Sequence, residues 1–253
     1  MNRESDIILA TKALTKAFSG FVAVNKVNIN VKRGSIHAII GPNGAGKTTL
    51  FNLLTKVHQP TSGSIEFNGL DITALTSPEI ARLGLVRSFQ ISAIFPALSV
   101  LQNVRIALQS RGGRSFDFWR SKLSLNRFND EAEKYIASVG LGDSVNVIAA
   151  DLPYGRRRAL EIATTLAMEP ELLLLDEPTA GMGHEDVDRI ADLIKQCSAG
   201  RTIVMVEHNL GIVARLADVI TVQVRGQVVA EGSYESVSNN PIVKQAYLGA
   251  DSE

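Results

Sequence analysis

The stretch from Ser35 to Thr49, SIHAIIGPNGAGKTT, decides the fold. Ser35 to Ile40 is an apolar run of strand type, the glycine-rich GPNGAGKTT follows it, and Thr48 to Thr55 has the composition of a helix. Gly41, Gly46, Lys47 and Thr48 satisfy G-x-x-x-x-G-K-[ST], placed after a strand and opening a helix, where the chemistry of that pattern requires it. Small residues let the chain wrap until backbone N–H groups converge on phosphate oxygens, helped by the positive end of the helix. Asn43, Gly44, Ala45, Gly46, Lys47, Thr48 and Thr49 are therefore candidate phosphate ligands. Lys47 is expected to reach the β and γ phosphates, and the Thr48 hydroxyl to hold Mg²⁺. From average composition the pattern arises by chance on the order of once in a hundred chains of this length.

Working outward, Leu172 to Leu175 and Thr202 to Val206 are continuous apolar runs, the mark of strands buried on both faces. Short strand-like runs alternate with helical stretches, which predicts an α/β domain with a largely parallel sheet. The early segments VAVNKVNINVKRGS and SGSIEFNGLDI alternate apolar and polar residues around glycine turns, so a smaller antiparallel sheet is expected beside the core. Between Leu98 and Gly140 the signals are helical. Ala132, Tyr135, Ile136 and Val139 fall on one helix face, with Gly140 as its stop, and Ser110 to Arg120 reads as a loop. The chain is thus expected to be one domain over residues 1–253 with a helical insertion at about 93–160.

Asp176 and Glu177 follow the LLLL run and emerge at the C-terminal end of a central strand, the side on which open α/β sheets bind ligands. Two carboxylates there can divide labour: Asp176 steadies the metal shell, while Glu177 polarises a water aimed at the γ phosphate. His208 ends the run VMVEH and should surface on the same edge. His37, His58 and His184 have no such context, and no spacing among the four histidines suggests a zinc site.

Composition narrows the classes. The 26 basic and 26 acidic residues balance, which argues against a nucleic-acid module acting through a strong basic field. One cysteine, Cys197, cannot form an intrachain disulfide and reads as a small half-buried hydrophobe. No apolar run approaches the roughly 18 residues needed to span a bilayer. MNRESDIILA resembles no signal peptide, so the mature chain is expected to begin at or near Met1, on the cytoplasmic side.

Taken together, these motifs resemble the nucleotide-binding subunit of ABC transporters over nearly the whole chain. GPNGAGKTT is similar to that family's Walker A loop, LLLLDEP to its Walker B strand, Gln90 in RSFQ to its Q-loop glutamine and His208 to its switch histidine. The resemblance implies a P-loop NTPase (RecA-like) core with ATP and Mg²⁺ bound. It also implies that Phe18 stacks on adenine, and that Gln90 joins the metal site to the surface gripping a membrane subunit. Glu177, His208, Gln90 and Lys47 become the implied catalytic set, and Thr48, Gln90 and Asp176 the metal set. The family's signature, usually LSGGQ, reads Leu152-Pro153-Tyr154-Gly155-Arg156 here, which places Tyr154 and Gly155 against nucleotide across a dimer. Pro153 replaces the signature serine and lacks an N–H, and Gly183 stands where the D-loop usually has Asp or Asn.

The L-x-Y-G signature, the AGM after EPT and the ending AEGSYESVSNNPIVKQAYLGA are similar to the ATPases of branched-chain amino acid uptake systems. Uptake ATPases for urea or other amides and the lipopolysaccharide-export ATPase share parts of this pattern. The implied partners are transmembrane permease subunits docking near Gln90 and ISAIFPALSV, a second ATPase subunit and, indirectly, an extracytoplasmic solute-binding protein. Two rival readings fit less well. A guanine-specific P-loop enzyme carries N-K-x-D after its phosphate loop, whereas Asn25-Lys26-Val27-Asn28 precedes it and ends in Asn. An ABC clamp on DNA or ribosomes usually carries two cassettes or long coiled-coil insertions.

Overall fold

The computed structural model describes residues 6–88, 94–111 and 127–248. The run after Gly34 forms strand β3 (Ile36–Ile40), flanked in space by β8 (Thr202–Val206) and β9 (Val219–Val224). With β6 (Leu85–Ser88), β7 (Leu172–Asp176) and β10 (Gln227–Gly232) they build a six-stranded sheet in the order β10-β9-β3-β8-β7-β6. All neighbours are parallel except β10, which returns antiparallel along β9. The apolar runs sit at its centre because both faces are covered. Leu173 and Leu175 join the helical core on one face, while Leu172 and Leu174 join the core on the other.

The second face is closed by α1 (Lys47–Leu54) and a four-stranded antiparallel sheet of β1 (Ile7–Phe18), β2 (Phe21–Lys32), β4 (Ser62–Phe67) and β5 (Leu70–Asp71). β1 was not foreseen as a strand, yet it lies inside this sheet between β2 and β4. After α2 (Ser77–Arg82), the middle of the chain supplies α3 (Val100–Arg111), α4 (Asn129–Ser138) and α5 (Tyr154–Leu166). Ala132 and Ile136 are buried as the helical period requires, and Gly140 stops that segment with φ 73°. Ser110 and Arg111 belong to α3 rather than to a loop; residues 112–120 of the expected loop lie outside the described residues. α5 runs on to Leu166, past the expected subdomain limit of residue 160. The chain closes with α6 (His184–Cys197), α7 (Leu210–Leu216), α8 (Tyr234–Asn239) and α9 (Pro241–Leu248). Cys197 is buried in α6, and burial pushes its thiol up to about 11, consistent with a packing role.

His37, fully buried on β3, shows how polar groups are tolerated in this sheet. The Thr221 hydroxyl donates to Glu231 Oε2 at 2.7 Å, so its oxygen accepts from His37 Nε2–H at 2.7 Å. Burial lowers the imidazole from 6.5 to about 4. A folded-state value below the unfolded one gives stability that is complete above pH 6.5 and is lost as pH falls towards 4. The loss amounts to about 3 kcal/mol. His37→Leu should flatten the stability–pH curve across that interval in urea unfolding; an unaltered slope would show that the ring is not held neutral.

Candidate active site

The phosphate loop links β3 to α1 and is pressed against its neighbours on two sides. Gly41 has φ 154° and Gly46 φ 95°. A Cβ on Gly41 would lie 2.0 Å from the Gln223 carbonyl oxygen, and one on Gly46 would lie 2.3 Å from that of Ala23. Only glycine fits at either end of the loop. The Gly226 N–H donates to Ala45 O at 2.8 Å and ties the loop to the β9–β10 turn. Gly46 offers no side-chain cap to α1, so the first N–H groups of that helix keep their donors for a ligand. Lys47 is buried, and its Nζ donates to Gly41 O at 2.6 Å and Pro42 O at 3.0 Å. Burial lowers its ammonium below the ordinary lysine value, and the Glu177 carboxylate opposes that shift.

Across the loop stand the ends of β7 and β8. Glu177 follows β7 with φ 45°, a left-handed conformation rare for a side chain of this size, and its N–H donates to Val206 O at 2.9 Å. His208 Nε2 is 2.5 Å from Glu177 Oε1, so the two residues expected on one sheet edge are in direct contact. Together with Asn43, Gly44, Ala45, Gly46, Lys47, Thr48 and Thr49 they wall a cleft of about 320 Å³. Phe21 and Ala23 complete it.

Asp176 lies deeper and is not on that wall. It is buried and ion-paired with Arg87 of β6. Arg87 also donates to Asn52 Oδ1 at 2.8 Å and lies over the Phe51 ring at 5.5 Å, so it joins β6, α1 and the Asp176 carboxylate. Arg158 of α5 donates to Glu161 Oε2 at 2.5 Å and to Asp176 O at 2.9 Å, which fixes α5 against β7.

Tyr154 and Gly155 open α5, neither is on the wall of the phosphate-loop cleft, and Gly155 lines a separate groove of about 490 Å³. Tyr154 O–H donates to Ala180 O at 3.1 Å, linking this segment to the turn after Glu177. A Cβ on Gly155 would lie 2.7 Å from the Asp186 carboxylate, which would have to move aside for any larger residue. Pro153 caps α5 without a side-chain hydrogen bond, and the first turn carries no acidic residue but does carry Arg156. Arg156 is ion-paired with Asp143 and the Asp186 carboxylate stands beside Gly155, so the charge at this helix start is balanced within the chain.

A family model described as ABC transporter matches residues 24–180. The chain belongs to the ABC transporter family. A second model, branched-chain amino acid ATP-binding cassette transporter, matches residues 227–253. The cassette is 37% identical to the high-affinity branched-chain amino acid transport ATP-binding protein BraF of Pseudomonas aeruginosa, over 96% of this chain and 98% of that one. It is 38% identical to the probable branched-chain amino acid transport ATP-binding protein LivG of Archaeoglobus fulgidus, over 97% of each. Among solved structures it resembles the ADP conformation of an ATP-binding cassette of an ABC transporter, with TM-score 0.84, 29% identity and coverage of 96% and 99%. A dimeric bacterial ABC transporter cassette is similar at TM-score 0.75, 25% identity and coverage of 89% and 98%. The chain is accordingly an ATP-binding and ATP-hydrolysing transporter subunit with the P-loop NTPase fold.

Phe18, expected against the base, is not on the wall of this cleft. Phe18 ends β1 and packs edge-on to His58 with ring centroids 5.4 Å apart; Phe21, across the hairpin turn, is the aromatic on the cleft wall. Gln90 lies outside the described residues. Arg87, Arg158 and Glu207 were missed, although a charge inside the short LVRS strand and an acid ending an otherwise apolar VMVEH run were visible signals. No group of three or more His, Cys, Asp or Glu side chains forms a metal cluster among the described residues. Thr48 lines the cleft with an oxygen donor of the hard kind Mg²⁺ takes, whereas the Asp176 carboxylate is buried behind the wall on Arg87 and would act from there.

Proposed function

We propose that this chain energises the uptake of branched-chain amino acids, working in pairs on the cytoplasmic face of a permease. The observation that carries the ATPase half is the cleft that brings Asn43 to Thr49 together with the Glu177–His208 pair. The cargo assignment rests on the match of residues 227–253 and on the names of relatives that share the full length.

The loop amides and Lys47 hold the β and γ phosphates, and Phe18 or Phe21 supports the base. Thr48 and Asp176, with Gln90, would hold Mg²⁺, which would neutralise phosphate charge. Glu177 takes a proton from the attacking water, and His208 orients its carboxylate through the Nε2–Oε1 contact. Within one chain Tyr154 and Gly155 lie away from that cleft, so they serve the nucleotide of a second subunit, a paralogue or an identical copy. The transmembrane permease docks on the segment after Gln90. There Asn103, buried in α3, holds the Phe95 N–H at 2.6 Å and leaves the ring 53% exposed. A solute-binding protein outside the membrane delivers cargo to the permease and never touches the cassette. Among the described residues no helix is long and apolar enough to cross a membrane.

The test is complementation. In cells lacking the resident ATPase, this chain with its permease should restore uptake of labelled leucine, isoleucine and valine, and Lys47→Ala should not. Restored uptake of urea or another amide without leucine would contradict the cargo assignment.

A further inference from the structure

Glu207, the last residue before His208, is buried to 2% exposure, and among the described residues no Lys or Arg forms an ion pair with it. Its carboxylate is instead spanned by four hydrogen bonds from two loops. Oε1 accepts from the Thr179 N–H at 3.0 Å and from the Thr179 hydroxyl at 2.5 Å. Oε2 accepts from the His208 N–H at 2.8 Å and the Asn209 N–H at 3.1 Å. Donors to an ionised carboxylate make the stronger class of hydrogen bond, and a buried carboxylate without a cation persists only when so satisfied.

The two loops that Glu207 joins are those bearing Glu177 and His208. Glu177 has φ 45°, a conformation that persists only where the surroundings over-determine it. On its N-terminal side the backbone is fixed by its own N–H on Val206 O at 2.9 Å. On its C-terminal side Pro178 leads directly to Thr179, both of whose donors end on Glu207. The other oxygen of the same carboxylate fixes the main chain of His208, whose ring meets Glu177 Oε1.

We infer that Glu207 is a positioning residue: one buried carboxylate that holds the left-handed Glu177 backbone and the His208 loop in a single register, so that the water-activating pair is preset before nucleotide arrives. This rests on the roles given above to Glu177 and His208. Glu207 is not among the residues that wall the cleft, so it acts on the turnover step rather than on binding.

In Glu207→Gln the amide oxygen best serves the two loop donors at His208 and Asn209. The NH₂ group then faces Thr179, whose hydroxyl can turn to accept while its N–H loses its acceptor. Loss of one such bond to a charged group should lower kcat about 10- to 100-fold. KM for Mg·ATP should stay within about twofold, because the phosphate loop is unaltered. Turnover is expressed per nucleotide-binding site, titrated calorimetrically, so that a merely structural defect appears as fewer sites rather than slower ones. Thr179→Val, which keeps the N–H bond and loses the hydroxyl, should slow turnover in the same direction by a smaller factor. The double variant should be no slower than Glu207→Gln alone, since both act through one contact. The inference is overturned if Glu207→Gln turns over within twofold of the parent while Glu177→Gln is inactive, or if KM rises as kcat falls. If Glu207→Gln does not fold, Thr179→Val decides by the same criteria. Normal turnover in Glu177→Gln would instead overturn the assignment of the catalytic pair.

Discussion

Replacing Glu177 by Gln should leave Mg·ATP binding in place and slow turnover by roughly 10²–10⁴-fold, the usual scale for a positioned base. The substitution preserves shape: the amide oxygen can still accept from His208 Nε2, now 2.5 Å from Oε1. What it removes is the lone pair able to take a proton from water. The residue walls the cleft at the end of β7, where its left-handed backbone aims the side chain back towards the phosphate loop. Phosphate release at saturating Mg·ATP, set beside calorimetric binding of the same sample, separates the two steps. Unchanged hydrolysis would remove Glu177 from the role.

Lys47→Ala should act on binding itself. Its buried Nζ is held by Gly41 O and Pro42 O, at 2.6 and 3.0 Å, at the floor of the cleft. A triphosphate offers that ammonium more negative charge than two carbonyls do, and burial lowers its pKa below the ordinary lysine value. Losing charge-assisted bonds of about 1.5–3 kcal/mol should weaken ATP by roughly 10- to 100-fold. Thermal unfolding without nucleotide measures the separate effect of leaving the two carbonyls unpaired. ATP affinity within twofold of the parent would contradict the cradle. Arg is no substitute here, because its planar fork does not fit a site built for a point charge.

The parts of this site that were legible are those where one local pattern carries both strand and chemistry. LLLLDE and VMVEH each end a doubly buried strand in charged residues, so burial and edge position follow from the same few letters. The loop GPNGAGKTT is equally self-contained. β1 was not legible because IILATKALTKAF breaks its own alternation. The shifts in register between Thr11 and Leu14 and between Leu14 and Lys16 move polar residues out of period, and Thr11 is buried with its hydroxyl on Val27 O. Asp176, which pairs with Arg87, and Thr179, which donates to Glu207, lie 89 and 28 positions away, and no local pattern specifies a contact made by folding. Phe18 and Phe21 flank the tight turn Ser19-Gly20, and which ring faces the cleft is set by the hairpin's seating against the phosphate loop.

The most direct test of the account is a structure of Glu177→Gln crystallised with Mg·ATP. It should show the triphosphate on the amides of Asn43 to Thr49, Lys47 on its terminal phosphates, and the metal on the side of Thr48 and Asp176, with position 177 and His208 facing the γ phosphate. Nucleotide bound elsewhere, or in this cleft with its phosphates turned away from residue 177, would contradict it.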